Sequence, residues 1–224
     1  DQMTNIPGLF AAGECDYSQH GANRLGANSL LSAVFGGSVA GPNAVKYMKG
    51  LSTHAEDLDD SIYENEVKLE QEKWEQTLAM KGTENAYLLH KELGEWMTDN
   101  VTVVRYNDKL EETDRKIQEL MERYENINMD DTQRWSNQGA SFTRQLKNML
   151  YLARVITLGA LQRNESRGAH YKPDFPERND EEFMKTTMAK FDPATGAPII
   201  HYEDIDISLV APRKRDYSSS KGAK

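Results

Sequence analysis

Cysteine and long hydrophobic runs are both scarce in this sequence of 224 residues, in which Cys15 is the single cysteine. One cysteine excludes a disulfide framework and a zinc site built from several cysteines, which favours a reducing, intracellular compartment. No apolar run approaches the ~18 residues of a membrane-spanning helix, so we predict no direct membrane span. Basic residues are outnumbered, with 27 Lys and Arg against 36 Asp and Glu, and this net charge of -9 argues against nucleic acid as a partner.

Glycine and charge are distributed unevenly along the chain. Residues 1–50 hold 8 of the 15 glycines, mixed with small residues as in packed α/β backbone. Residues 56–131 carry 22 acidic against 9 basic side chains. We therefore predict three parts, at residues 1–50, 51–165 and 166–224.

The middle part predicts a helical bundle. Apolar side chains recur there at helical spacing in four segments, as in amphipathic helices, and we expect the three tryptophans near these stripes to pack in the core. Gly82-Thr83 and Asn107-Asp108 are predicted to break the chain and cap the second and third helices. The apolar positions are Leu58, Ile62, Val67, Trp74 and Leu78; Leu89, Leu93, Trp96 and Met97; Leu110, Ile117, Met121 and Tyr124; and Leu146, Met149, Leu150, Ala153, Ile156, Ala160 and Leu161.

The last part changes to strand-like patterning. Residues 185–191 and 198–202 predict two strands joined by a turn at 192–196, and alternating side chains at 205–209 predict a third, half-buried strand. Residues 213–224 are basic and serine-rich. The predicted fold class is α+β: a strand and helix that end an α/β domain, then a mainly helical bundle, then a small β-hairpin tail.

A carboxylate follows the first predicted strand. Residues 6–14, Ile-Pro-Gly-Leu-Phe-Ala-Ala-Gly-Glu, predict a turn and a short apolar strand that ends at Gly13 and Glu14. A carboxylate at the carboxyl end of a buried strand can accept hydrogen bonds from the hydroxyls of a ligand in the crevice there. The alternative is a glutamate that faces water, and so short a motif does not decide between the two.

The run HGANRLGANSLL at residues 20–31 predicts a small-anion site. Small residues around Arg24 let the backbone approach a ligand, and the guanidinium can bind a carboxylate through two hydrogen bonds. Asn28 or Ser29 is predicted to cap the helix that follows, whose N-terminal N–H groups would face the same crevice. The alternative for Arg24 is an ordinary structural ion pair.

Two stretches resemble the signatures of one family. Residues 6–41, with Ala-Gly-Glu at 12–14 and the run at 20–31, resemble the flavin-site signature of the succinate dehydrogenase and fumarate reductase flavoproteins. Residues 166–171 (SRGAHY) and 174–180 (DFPERND) resemble the second signature of these subunits. The resemblance covers essentially the whole chain but only the carboxyl-terminal part of the family's flavoprotein.

The resemblance implies a partial FAD site. Glu14 would accept hydrogen bonds from the ribityl or ribose hydroxyls of FAD. Ser29 and Leu30 would present hydroxyl and N–H groups to the pyrimidine end of the isoalloxazine, where reduced flavin gathers negative charge. Residues 1–50 would be the carboxyl-terminal piece of the FAD-binding domain.

The resemblance also implies a substrate site for succinate or fumarate. Arg24 would bind one substrate carboxylate and orient the C2–C3 bond for hydride transfer to the flavin. Asn23, Asn28 and His20 would support the residues that contact the ligand. For His20 two alternatives stay open, a packed or backbone-bonded imidazole and a direct ligand contact.

Several family features have no counterpart in this sequence. No Gly-x-Gly-x-x-Gly follows a strand, and the family's flavin-attachment histidine and its other catalytic residues lie upstream of the matched region. We therefore expect a fragment that contains no catalytic residue and is inactive alone. The histidines show no metal-ligand spacing, so no metal is assigned.

The function implied by the resemblance is that of a succinate dehydrogenase or fumarate reductase flavoprotein subunit. Such a subunit exchanges hydride between succinate and FAD and passes electrons to an iron-sulfur subunit on a membrane anchor, at the cytoplasmic side of the bacterial plasma membrane. Two alternatives stay open: a fragment of the related L-aspartate oxidase, and a helical module that is purely structural. For Arg167, His170 and Arg178 we expect a structural role in bracing the helical region, rather than electron transfer or partner contact.

Overall fold

Helices are the main regular structure in the computed structural model, which describes residues 1–16 and 18–213. Within these residues one two-stranded sheet follows the helices. Short 3-10 turns lie at Gly13–Cys15, Ser18–His20 and Ala55–Asp57. The helices are α1 (Asn28–Lys49), α2 (Asp60–Leu78), α3 (Ala86–Asn100), α4 (Asn107–Tyr124), α5 (Gln138–Gln162) and α6 (Asp180–Phe183), and the strands are β1 (Lys185–Asp192) and β2 (Ala197–Asp204).

Helix α5 is the centre of the bundle, and α2, α3 and α4 all pack against it. Leu146 and Leu150, one turn apart on α5, are fully buried with Ile117 and Leu120 of α4 and Leu89 of α3 in one apolar cluster. Burying each such side chain stabilises the fold by about 1.5–3 kcal/mol. The helical bundle predicted from the apolar spacing is therefore present.

Two apolar features of the prediction are not buried. In α2 only the last turns reach the core, through Trp74 and Leu78, whereas Ile62 and Val67 are more than half exposed. Trp135, which was expected in the core, is 87% exposed. It precedes α5 in a loop, where no helical face directs it inward.

The predicted helix caps are wrong by a few residues. Asn85 caps α3, because Gly82 and Thr83 instead donate their N–H groups to the carbonyls of Ile127 and Asn126. Helix α4 begins at Asn107 itself, and the preceding tyrosine has no side-chain cap hydrogen bond.

Replacing Asn85 by alanine should lower the free energy of unfolding by about 1 kcal/mol. The Asn85 side chain accepts hydrogen bonds from the N–H groups of Tyr87 at 2.9 Å and Leu88 at 3.3 Å, which alanine cannot do. Urea-induced unfolding measures the difference, and Lys91→Ala on the exposed face of α3 is the matched control. Equal stability of the two variants would contradict the capping role.

The tail contains the predicted hairpin. Strands β1 and β2 pair antiparallel from Lys185 opposite Asp204 to Asp192 opposite Ala197. The Asp192 carboxylate accepts from Thr195 Oγ1 at 2.8 Å and closes the turn. The third strand predicted at 205–209 is wrong: Ile205 onward has no strand partner among the described residues, and its apolar side chains are exposed. Residues 214–224, the rest of the predicted basic ending, lie outside the described residues.

The predicted strand at residues 6–14 is also not formed. Its one ladder contact is an isolated antiparallel bridge between Met3 and Phe10, and a 3-10 turn follows at Gly13. A strand needs a neighbouring strand to satisfy its backbone groups, and the described residues place only Gln2 to Thr4 beside it. The predicted helix is present as α1.

Candidate functional site

A cavity of about 640 Å³ lies between the N-terminal end of α1 and the loops around it. Six of the predicted site residues converge on it, although they come from three separate segments of the chain. Asn28 is not among the lining residues that the structure describes. The lining consists of Gly13, Glu14, His20, Gly21, Ala22, Asn23, Arg24, Ser29, Leu30, Ala33 and Ala169.

Arg24 and Glu14, which both line this cavity, form an ion pair with each other. Arg24 Nη1 lies 3.7 Å from Glu14 Oε1, and the two side chains are 58% and 94% exposed. An ion pair this exposed contributes about 0–1 kcal/mol to stability. A ligand that separates the two side chains therefore loses little free energy by breaking the pair. The cavity thus presents one guanidinium for an anion and one carboxylate for hydroxyl or N–H donors.

The N-terminus of α1 forms one wall of the cavity. The helix begins at Asn28 after Ala27, which has a φ of 62° and no side-chain oxygen to cap it. The prediction that Asn28 or Ser29 caps the helix is therefore wrong. Ser29 and Leu30 lie instead in the first turn, where backbone N–H groups and the helix dipole favour an electron-rich group. The donor set fits the pyrimidine carbonyls of a flavin.

His20 is held by a side-chain hydrogen bond to α1. Its Nε2 lies 3.0 Å from Ser32 Oγ, and that hydroxyl donates to the carbonyl of Ser29 at 2.9 Å. Because a serine hydroxyl has one hydrogen, the imidazole Nε2 is then the donor to Ser32. His20 therefore fastens its loop to the first turn of the helix, in addition to lining the cavity.

An ion cluster around Glu165 contains Arg167 and Arg178, for which a structural role was predicted, but the sequence analysis missed Glu165 itself. Glu165 is fully buried and accepts from Arg163 at 2.6 Å and from Arg167 at 2.8 Å. Arg167 also donates to Asp180, which pairs with Arg178. Burial opposes ionisation of Glu165, but hydrogen bonds from Arg167, the Asn179 N–H and Arg163 outweigh it and lower its pKa. The sequence contains no spacing pattern that would predict a buried ion pair at Glu165, since its partners lie both before and after it in the chain.

The His170 imidazole lies between two arginines in the same region. Its Nδ1 is 2.5 Å from Arg105 Nη1, and its Nε2 is 2.8 Å from the Arg163 carbonyl. Burial lowers the pKa of His170 to about 4, and the charges of Arg105, Lys172 and Arg163 add to the effect. Lys172 is itself buried among neutral acceptors, and burial lowers its pKa to about 8. The ring is therefore neutral and fixes this loop.

Stability should fall as the pH is lowered from 6.5 towards 4, by at most about 3 kcal/mol for His170. In this range the unfolded chain binds a proton at His170 whereas the folded chain does not, so acid favours unfolding. Urea unfolding across the range measures the slope. His170→Asn cannot bind the proton and should flatten the slope, and an unchanged slope would contradict the assignment.

A second cavity, of about 600 Å³, lies beside the N-terminal part of α5. Its walls include Trp74, Tyr87 and Phe142 but none of the predicted site residues. Among residues 1–16 and 18–213, no group of three or more His, Cys, Asp or Glu side chains could hold a metal ion. No helix in this described part is both long and apolar enough to cross a membrane.

Comparisons with known proteins show the family to which the chain belongs. A family model for the FAD binding domain matches residues 1–30, and a model for the fumarate reductase flavoprotein C-terminal domain matches residues 90–217. The cavity at the start of α1 and these matches define the chain as a flavoprotein. The chain belongs to the fumarate reductase and succinate dehydrogenase flavoprotein family, whose members are oxidoreductases.

Two relatives from this family align with almost the whole chain. The succinate dehydrogenase flavoprotein subunit of Bacillus subtilis is 70% identical over 224 residues, which are 100% of this chain and 38% of that protein. The fumarate reductase flavoprotein subunit of Haemophilus influenzae is 35% identical over 98% of this chain and 36% of its own length. This chain thus spans less than two fifths of these relatives.

A solved structure supports the fold. An Escherichia coli quinol fumarate reductase chain superimposes with a TM-score of 0.85 at 32% identity, covering 93% of this chain and 35% of that one. The predicted bundle with a small hairpin tail and the predicted FAD cofactor are both confirmed by these matches. The roles of individual site residues and the domain boundaries stay predictions.

Proposed function

We propose that this chain is the carboxyl-terminal part of a flavoprotein subunit that interconverts succinate and fumarate. The observation that carries the proposal is the convergence of Arg24, Glu14 and the first turn of α1 on one cavity, in a chain of this family. FAD, when bound, supplies the electron acceptor for succinate oxidation. Both directions of the reaction need the same contacts, so the assignment covers each.

Each polar group of the cavity has one task in this proposal. Arg24 binds a substrate carboxylate through its planar guanidinium and orients the dicarboxylate. Glu14 accepts hydrogen bonds from the ribityl or ribose hydroxyls. Ser29 and Leu30 hold the pyrimidine end, and Asn23, Asn28 and His20 support the loop and helix start. The proposal assigns no proton transfer to any of these side chains.

The proposed partners follow from the relatives, which are named as subunits. We place an iron-sulfur subunit next to the flavoprotein, which receives the electrons and joins it to a membrane anchor. The flavoprotein itself is peripheral, on the cytoplasmic side of the bacterial plasma membrane. The 224-residue chain alone is inactive in this proposal, because it supplies only part of the FAD site.

Anaerobic reduction of the complete flavoprotein tests the proposal. Succinate should bleach the flavin absorption band, whereas L-aspartate should leave it unchanged. Bleaching by L-aspartate alone would instead assign the chain to an amino-acid oxidase. No bleaching by either, in a protein with bound FAD, would refute the proposal. The isolated chain is assayed beside it and should show no reduction.

A further inference from the structure

Residues 167–170, which belong to the second family signature in the sequence, form a tight turn closed by two backbone hydrogen bonds. Arg167 N–H donates to the His170 carbonyl at 2.8 Å, and His170 N–H donates back to the Arg167 carbonyl at 3.0 Å. Gly168 lies inside the turn with a φ of +59°, a backbone conformation that L side chains rarely adopt. We call residues 167–170 the bracing turn.

Both ends of the bracing turn are fixed from behind. The Arg167 guanidinium binds both oxygens of the buried Glu165 at 2.8 Å and Asp180 at 2.8 Å. The His170 ring is held between Arg105 and the Arg163 carbonyl. Groups held by this many charge-assisted hydrogen bonds cannot shift without breaking several of them. The turn is therefore a rigid support.

The tip of the bracing turn contacts the loop that carries Arg24. Ala169 N–H donates to the Ala22 carbonyl at 2.9 Å. A Cβ on Gly168 would lie 2.5 Å from the Ala22 oxygen and 2.7 Å from its carbonyl carbon. Both contacts are with backbone, so only glycine allows this approach. Ala169 also lines the cavity.

Ala22 is two residues before Arg24, and the loop is held on its other side as well. Asn23 N–H donates to the His20 carbonyl at 3.4 Å, and the His20 ring is fastened to Ser32 of α1. The loop is thus held between α1 and the bracing turn, and Arg24 extends from it into the cavity. We propose that the bracing turn is a positioning element that sets the place of Arg24 for carboxylate binding. This inference rests on the proposed function.

Gly168→Ala in the complete flavoprotein tests the inference. The variant should push Ala22 away, displace Arg24, and raise the KM for succinate by about tenfold or more, since a displacement on the order of 1 Å is that costly. Gly196→Ala is the matched control. Gly196 also has a positive φ, +65°, but open space at its Cβ position, so it tests backbone strain alone. Its KM should stay within about twofold.

The KM is compared with kcat and with FAD content, because a general loss of folding lowers the fraction of active protein and leaves KM unchanged. A second variant replaces Ala169 by lactic acid, so that a backbone ester removes only the N–H that binds Ala22. This ester variant tests the inference if Gly168→Ala does not fold, and it should also raise the KM for succinate.

The outcomes separate the inference from the proposed function. A normal KM in the ester variant and in folded Gly168→Ala, with KM still sensitive to Arg24→Gln, would overturn the positioning role and leave the proposed function standing. Insensitivity to Arg24→Gln would overturn the proposed function first. A rise in KM in both backbone variants but not in Gly196→Ala supports the inference.

Discussion

Replacing Glu165 by glutamine should lower the free energy of unfolding by about 3–5 kcal/mol. The carboxylate is fully buried and faces the guanidinium groups of Arg163 and Arg167, which are themselves only 11% and 20% exposed. Glutamine keeps the shape but leaves the positive charges uncompensated, and an amide N–H would point at a donor. Asp180 still faces Arg167, so the loss falls mainly on Arg163.

Urea-induced unfolding followed by circular dichroism measures this loss. Glu112→Gln is the matched control, because Glu112 also pairs with a basic residue, Lys109 at 2.9 Å, but both are about half exposed. An exposed pair of this kind contributes about 0–1 kcal/mol. Similar losses in the two variants would show that burial of the Glu165 cluster does not determine its contribution.

Replacing Arg24 by glutamine in the complete flavoprotein should lower kcat/KM for succinate by about a thousandfold. The guanidinium is the one cationic side chain among the residues that line the cavity and lie in the described part of the chain. Glutamine removes the charge and the paired donors while it keeps a polar side chain. Arg24→Lys should recover little of the loss, because an ammonium cannot form two parallel hydrogen bonds to a carboxylate.

Steady-state kinetics with bound FAD quantified in each sample measures this effect. Arg134→Gln is the matched control: Arg134 pairs with Glu75 at 2.9 Å and is 69% exposed, but it lies at the other cavity. It should leave kcat/KM within about twofold. A comparable loss in Arg134→Gln, or FAD content that falls with Arg24→Gln, would argue against a substrate role for Arg24.

Local patterns in the sequence determined the helices but not all of their ends. The spacing of Leu110, Ile117 and Tyr124 predicted α4, because residues at helical spacing lie on the same face of an α-helix. The cap at Asn85 was missed because Gly82-Thr83 matches the usual pattern of a helix break and cap. In the structure these two residues instead contact the loop after α4. That contact joins residues more than forty positions apart, so local signals do not reveal it.

The strand predictions show the same limit. The hairpin at β1 and β2 formed because its two strands are adjacent and satisfy each other's backbone groups. The segments at 6–14 and 205–209 have similar patterns but no strand beside them among the described residues. An alternating or apolar pattern indicates which face of a strand would be buried. A strand forms only if a neighbouring strand pairs with it, and the pattern of the segment itself does not show whether one is present.

By itself the sequence determined the helical pattern and, through the resemblance, the family, and it predicted the residues of the candidate site. The tertiary structure decided that Glu14, Arg24 and Ser29 meet in one cavity, and that Gly168 and Ala169 approach the loop of Arg24 at Ala22. The physical reason is that charge, hydrogen-bonding capacity and helical period belong to the residues and their spacing. Burial and close backbone approach arise only when distant segments pack together.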